Sequence, residues 1–227
     1  MLLYDLAGDD NRRFSPYCWR AKMALAHKGL AFETTPVPFT GINAIGDGSH
    51  KTVPVLDHDG TIIRDSFAIA EYLEDTFPHA PSLFDGAGGR AVSKVVETTI
   101  VATLVPVIAS LCVHDIHEAA LPEDRDYFRQ SRESRFGKTL EAFQEGREER
   151  REALTKALHP FRMVLRERDW LGGERPLFVD YMLFGTLQWP RVASAFPMLD
   201  NDDPVAQWFE RVLNLHDGLG KSMPAAA

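Results

Sequence analysis

The sequence predicts an α/β N-terminal domain, a mixed four-stranded sheet with helices packed on it, followed by an all-α domain. Three observations carry this assignment. Patterning within residues 1–77 runs strand, helix, strand, hairpin, helix. Residues 78–89, "PHAPSLFDGAGG", hold two prolines and three glycines and read as an interdomain linker. From residue 90 to 227 the periodic segments all repeat at helical spacing. With 227 residues, 44% of them hydrophobic, the chain can bury one large core or two modest ones.

Taken in order, "LLYDL" (2–6) is a short apolar run suited to a buried strand. Ser15-Pro16 starts a helix, a capping side chain followed by a residue whose fixed φ suits the first turn, and Gly29 stops it. "AFETTPVPF" (31–39) supplies a second strand, and "VPVLDHDGTIIRDS" (53–66) a hairpin turning at Asp59-Gly60. Ile69, Tyr72, Leu73 and Phe77 then mark one face of a helix. This is the βαβ–ββα order of a thioredoxin-like domain. After the linker, helices are predicted over 90–117, 123–145, 148–168, 177–189 and 204–216. In the last, Val205, Trp208, Phe209, Val212 and Leu213 share a face and should be buried. Thr98–Val113 carries no charge, but 16 residues broken by Pro106 fall short of the roughly 20 that span a bilayer. It reads as a kinked, buried core helix.

Composition excludes several classes of partner. Net charge is −8 and the pI about 5.5, so no nucleic-acid footprint and no basic membrane-facing surface is expected. Two cysteines, Cys18 and Cys112, make no disulfide framework and fit a reducing compartment. The N-terminus has too short an apolar run for a signal peptide, and the chain reads as cytoplasmic. "HDIHE" (114–118) spaces His114 and His117 one turn apart, a pattern more often solvated than metal-binding. "REERRE" (147–152) reads as a solvated helix face of mixed charge.

The chemistry concentrates in "RRFSPYCWRAKMAL" (12–25), which looks like a Cys-x-x-Cys motif with serine in place of the first cysteine. Ser15 has no base nearby in sequence and is no nucleophile, but its hydroxyl can donate a hydrogen bond to a thiolate supplied from elsewhere. A free thiol titrates near 8.5, and each unit of lowering needs about 1.4 kcal/mol. One hydroxyl donor and a helix N-terminus supply about one or two units; a plain helix cap is the other reading of Ser15. Val53-Pro54, opening a strand, is a candidate cis peptide that leaves the Val53 backbone free to pair with an extended peptide. Asp65-Ser66 opens the next helix, with Ser66 a second anion site and Asp65 a partner for an ammonium. Taken singly, Pro54 is also a strand starter and Asp65-Ser66 a helix cap.

Together, "SPYCWRAKMAL", "TVPVL" and "RDSFAIAEYLED" ahead of an all-helical half resemble the glutathione transferases along the whole chain. "FTGI", "LPEDRDYFRQSRE", "EAFQEGREER" and "LHPFRMVL" followed by "WLGGERP" bring it nearest the bacterial glutathione-dependent β-etherases, which cleave lignin β-aryl ethers, and related fungal transferases. The resemblance implies a thiolate-activating Ser15, Val53 before a cis Pro54 for the cysteinyl unit, and Asp65 with Ser66 for the γ-glutamyl head. It also implies His50 or Lys51 for the glycine carboxylate, although Thr52 stands where the etherases carry a basic residue. Glutathione would be a consumed cosubstrate with no metal or nucleotide, and the protein a homodimer. Leu177 occupies a position where the superfamily caps the helix of the buried Asp180 with a polar side chain, a loss of roughly 1 kcal/mol; Asp180 itself reads as structural. The second substrate is expected between the domains against Phe14, Tyr17, Thr103, Val107 and Leu111, a lining that suits an uncharged aromatic. The Tyr17 phenol is placed to polarise a leaving oxygen. A glutathione-dependent thiol oxidoreductase acting through Cys18, and a non-catalytic glutathione-binding module, are the alternatives.

Overall fold

The structure is a computed structural model that describes residues 1–226. Strand β1 (Leu2–Leu6) lies inside a four-stranded sheet of order β2–β1–β3–β4, where β2 is Glu33–Val37, β3 Val55–His58 and β4 Thr61–Arg64. β1 pairs parallel with β2, which requires a crossover, and helix α1 (Pro16–His27) supplies it. β3 pairs antiparallel with β1 and β4. The hairpin turns through Asp59 (φ 52°) and Gly60 (φ 88°), the left-handed pair of a type I′ turn. A buried ion pair, Lys22 Nζ to Asp5 at 2.9 Å, ties α1 to β1, and the same ammonium stands 3.6 Å over the Trp19 ring. Helix α2 (Ser66–Thr76) packs Ile69 and Leu73 into the core.

The helical half comprises α3 (Ala87–Thr99), α4 (Val105–Ala119), α5 (Arg125–Phe136), α6 (Leu140–Gln144), α7 (Arg151–Ala157), α8 (His159–Leu165), α9 (Phe178–Ala193) and α10 (Pro204–Leu213). The segment expected over 123–145 is two helices, because Gly137 (φ 70°) ends α5 and Thr139 caps α6. The one expected over 148–168 is also two, parted where Pro160 has no N–H for the carbonyl of Lys156. The segment expected over 204–216 stops at Leu213, and His216 and Asp217 take left-handed φ of 52° and 58°. The anticipated α10 face is buried, with Trp208, Val205 and Val212 fully inaccessible.

Residues 87–119 form a single helical run, long and apolar enough by composition to cross a membrane. Ile100, Leu104, Ile108, Leu111, Cys112 and Ile116 are nevertheless buried in the core against the other helices. The run is not buried all round, as the sequence suggested. Val92, Val95 and Val101 are 62, 65 and 41% exposed on its N-terminal half. Pro106 is accommodated by a widened turn over Ile100–Leu104, closed by the Val105 N–H on the Ile100 carbonyl.

"REERRE" departs from its expected solvated role. Arg147 reaches Asp115 at 2.6 Å and Arg150 donates to the carbonyls of Ser110, Phe143 and Gln144, so the two stitch the α6–α7 connection to α4.

At the start of α9, Leu177 offers no acceptor. The Phe178 N–H bonds the Leu83 carbonyl instead, and the Asp180 carboxylate accepts from Leu177 N–H at 3.0 Å. Asp180, fully buried, also accepts from the Leu171 and Gly172 N–H groups and from Trp208 Nε1. Burial pushes this carboxyl up and the four donors pull it back. Asp180→Ala should therefore lower unfolding stability by about 3 kcal/mol or more in urea titration, since four buried donors lose their acceptor. A loss under about 1 kcal/mol would contradict this account.

Tyr181 Oη joins His27 Nδ1 at 2.7 Å and His216 Nε2 at 3.0 Å, pinning the C-terminal segment to α1 and α9. Burial holds both imidazoles below the ordinary histidine range, His216 at about 4. The neutral ring is the folded form, so its contribution is complete above pH about 6.5 and lost as pH falls towards about 4. The difference in melting temperature between wild type and His216→Gln should narrow from pH about 7.5 to about 5; a constant difference would show that His216 is not part of the clamp.

Candidate functional site

Ser15 is the N-cap of α1 and 5% exposed. Its Oγ accepts the Cys18 N–H at 3.3 Å, which leaves the hydroxyl proton free to donate. Position follows from packing beneath it. Gly185 of α9 lies against the first turn of α1, where a Cβ would come within 2.3 Å of the Pro16 carbonyl oxygen. One turn on, buried Arg20 donates to Thr186 at 3.2 Å and meets Glu97 of α3 at 3.4 Å, with its guanidinium 4.7 Å over the Tyr17 ring. The helix tip is thus held from both the α3 and α9 sides.

Ser15 faces a cavity of about 630 Å³ between the two halves, walled also by Phe14, Tyr17, Lys51, Thr52 and Val53. Phe39 and the α5 start are locked together across it, because buried Asp124 accepts the Phe39 and Thr40 N–H groups and the Thr40 hydroxyl. The Val53–Pro54 peptide is cis. Of the two basic residues before the hairpin, Lys51 lines the cavity, while His50 is buried with Nδ1 unpartnered. Asp65 and Ser66 stand outside this lining, at the start of α2. Asp65 Oδ1 caps the helix through the Phe67 and Ala68 N–H groups, and buried Ser66 Oγ has no partner. Cys18 is fully buried, and burial with nearby Asp5 pushes its thiol far up, so it is a poor thiolate.

Thr103, Val107 and Leu111 are not cavity residues, contrary to expectation. Leu111 is core, and Thr103 is exposed with its hydroxyl on the Thr99 carbonyl. The wall is made by Val101, Val105, Ala109 and Val113, a row two residues, or about 200°, around the helix. Sequence reasoning also missed the α5–α6 wall, notably Phe128, Arg132, Arg135 and Phe143. A signal existed in "RQSRESRF", where arginines outnumber the acids able to pair with them. His114, His117 and Glu118 place ligand atoms within 4.8 Å of one another, with His117 Nδ1 engaged by Glu118 at 2.8 Å and His114 Nε2 near Glu141 at 3.4 Å.

Comparison with known proteins agrees with this architecture. Residues 14–76 match the family model of the glutathione S-transferase N-terminal domain, and residues 91–219 that of the C-terminal domain. Maleylacetoacetate isomerase of Dictyostelium discoideum is 32% identical over 100 residues, 39% of this chain and 43% of that protein. Glutathione S-transferase 1 of Dianthus caryophyllus is 32% identical over 120 residues, 48% of this chain and 52% of its own. The matched stretches thus span about half or less of these curated relatives. A glutathione transferase of Phanerochaete chrysosporium superposes with TM-score 0.83 at 26% identity, covering 93% of this chain and 95% of its own. A glutathione S-transferase of Ceriporiopsis subvermispora, solved in complex with glutathione, superposes with TM-score 0.82 at 23% identity and 99% coverage of both chains. With both family models matched, in chain order, on the thioredoxin-like and the helical half, the chain belongs to the glutathione S-transferase family.

Proposed function

We propose that the protein is a glutathione transferase in which Ser15 keeps the glutathione sulfur ionised for attack on an aromatic electrophile. The observation that carries this reading is the Ser15 hydroxyl, anchored by its oxygen at a helix N-terminus and facing a largely apolar cavity with its proton unused. In such a place a sulfur anion gains a donor and the helix amides, while a neutral thiol gains little. The backbone of Val53 would pair with the cysteinyl unit, Lys51 would take the glycine carboxylate, and Asp65 with the unpartnered Ser66 hydroxyl would hold the γ-glutamyl head.

The bound thiol gives its proton to solvent, the sulfur forms a bond to the electrophilic carbon, and the leaving group departs with the bonding pair. In the finer reading, cleavage of a β-aryl ether, the carbon–oxygen bond breaks and a phenolate leaves towards the Tyr17 hydroxyl. Likeness to fungal transferases over nearly the whole chain supports the transferase reading, and ether cleavage rests on the resemblance of the sequence motifs. The exposed Val92 and Val95 on α3 suit the face of a homodimer, and the absence of a disulfide suits a cytoplasmic setting. The buried, poorly ionised Cys18 argues against the thiol oxidoreductase alternative.

Titrating the thiolate absorbance of bound glutathione should give a midpoint at least about one unit below the free thiol. Ser15→Ala should move the midpoint back towards the free value, short of it by what the helix amides supply, and lower kcat/KM at neutral pH by about tenfold. An unshifted midpoint in wild type would leave a non-catalytic binding module. Cys18→Ala should keep transfer activity within about twofold; loss of all activity there would favour disulfide exchange instead. Turnover of a model lignin dimer beside a generic aryl halide separates an etherase from a general transferase.

A further inference from the structure

Helix α5 carries four arginines at Arg125, Arg129, Arg132 and Arg135. The first two are satisfied. Arg125 reaches Asp9 and Glu118, and Arg129 is held by Glu133 at 2.8 Å and Glu141 at 2.7 Å. The last two are not, and they are the two that line the cavity. Among the described residues neither Arg132 nor Arg135 meets a carboxylate. Arg132 gives one N–H to the neighbouring Ser131 hydroxyl at 2.9 Å, and Arg135 has no side-chain partner. They sit at i and i+3 on one helical face, and burial first, with the Arg135 charge a lesser cause, holds the Arg132 guanidinium below its ordinary range.

The surroundings make this imbalance sharper. The chain carries a net −8, yet the cavity lining holds Lys51, Arg132 and Arg135 and no acidic residue. The Arg132 guanidinium lies 4.6 Å over the Phe128 ring and 5.9 Å from the Phe39 centroid, so the rings hold the group in place while its remaining N–H donors stay free. Phe136 and Phe143 stack on each other at 4.0 Å on the same wall. A planar fork with free donors, set beside aromatic rings, is the geometry that receives a carboxylate attached to an aromatic body.

We infer that Arg132 and Arg135 bind the acidic group of the second substrate, so that the site takes aromatic electrophiles bearing a carboxylate rather than uncharged ones. This rests on the transferase reading for what the electrophile does, but the anion preference is a property of the α5 wall alone. The carboxylates of glutathione are assigned elsewhere, at Lys51 and at the start of α2.

The test is equilibrium dialysis of a chlorodinitrobenzoate and its methyl ester against the full chain, with and without S-methylglutathione. The carboxylate should bind about tenfold or more tightly than the ester at low salt, with the ratio shrinking as salt is added. In the Arg132→Gln/Arg135→Gln double variant the ratio should fall to about one. The single change at exposed Arg135 should lower it partway, which guards against misfolding of the pair. Equal binding of the two probes by wild type, or a preference that survives in the double variant, would overturn the inference. So would a variant that keeps the preference and instead binds S-methylglutathione weakly. Failure of S-methylglutathione to bind wild type at all would count against the transferase reading and leave the anion preference standing or falling on the two aromatic probes.

Discussion

The close seating of α1 on α9 is the constraint from which the rest follows. Gly185 allows the Pro16 carbonyl to approach where any Cβ would collide with it, and Arg20 is sealed beside that contact. A guanidinium without exposure needs its partners. Glu97 comes from α3 and Thr186 from α9, so a single buried charge joins the first domain to two helices of the second. Removing one side of such an arrangement costs about 3–5 kcal/mol, far more than exposed pairs such as Lys156–Glu152. The consequence reaches Ser15, whose hydroxyl can serve a ligand only because the helix tip below it does not move relative to the opposite wall.

That wall belongs to the other half of the chain. The cavity exists between a sheet-based domain that presents a hydroxyl and a free backbone edge, and a helical domain that presents aromatic rings and arginines. Its two sides differ in how they are fixed. On the first, caps and strand pairing set each group within a few residues of its neighbours in sequence. On the second, Asp124 fixes the α5 start against Phe39 and Thr40 by bonds that cross about 85 residues of chain. On the proposed function, the thiolate-holding hydroxyl would sit on the locally determined side and substrate choice on the side determined at long range.

Buried polar groups show the same division. Asp180 accepts four N–H donors from three separate segments and carries no chemistry; it holds the loop after α8, the start of α9 and Trp208 of α10 together. The arginines of 147–152 look like a solvated run when read alone, yet Arg147 and Arg150 are consumed by α4 and the α6–α7 connection. Arg132 and Arg135 look the same in sequence and remain free. What distinguishes the two pairs is which acceptors lie within reach: Asp115 for Arg147 and backbone carbonyls for Arg150.

The amino-acid sequence by itself determined the element order, the left-handed hairpin turn at Asp59-Gly60, the cap at Ser15, the helix start at Asp65-Ser66 and the buried face of α10. Each depends on interactions spanning a few residues, where φ preferences, side-chain caps and hydrophobic period act directly. The breaks at Gly137 and Pro160 are local too, a left-handed glycine and a missing N–H, although the hydrophobic period runs across them. Tertiary structure alone decided the replacement of Thr103, Val107 and Leu111 by Val101, Val105, Ala109 and Val113 on the cavity wall, and the choice of Lys51 over His50 there. Which face of a helix meets a cavity depends on how the other half of the chain packs against it, and no local period reveals that. A charged residue's role is set by which opposite charge lies within reach, and that is fixed by the packing of helices distant in sequence.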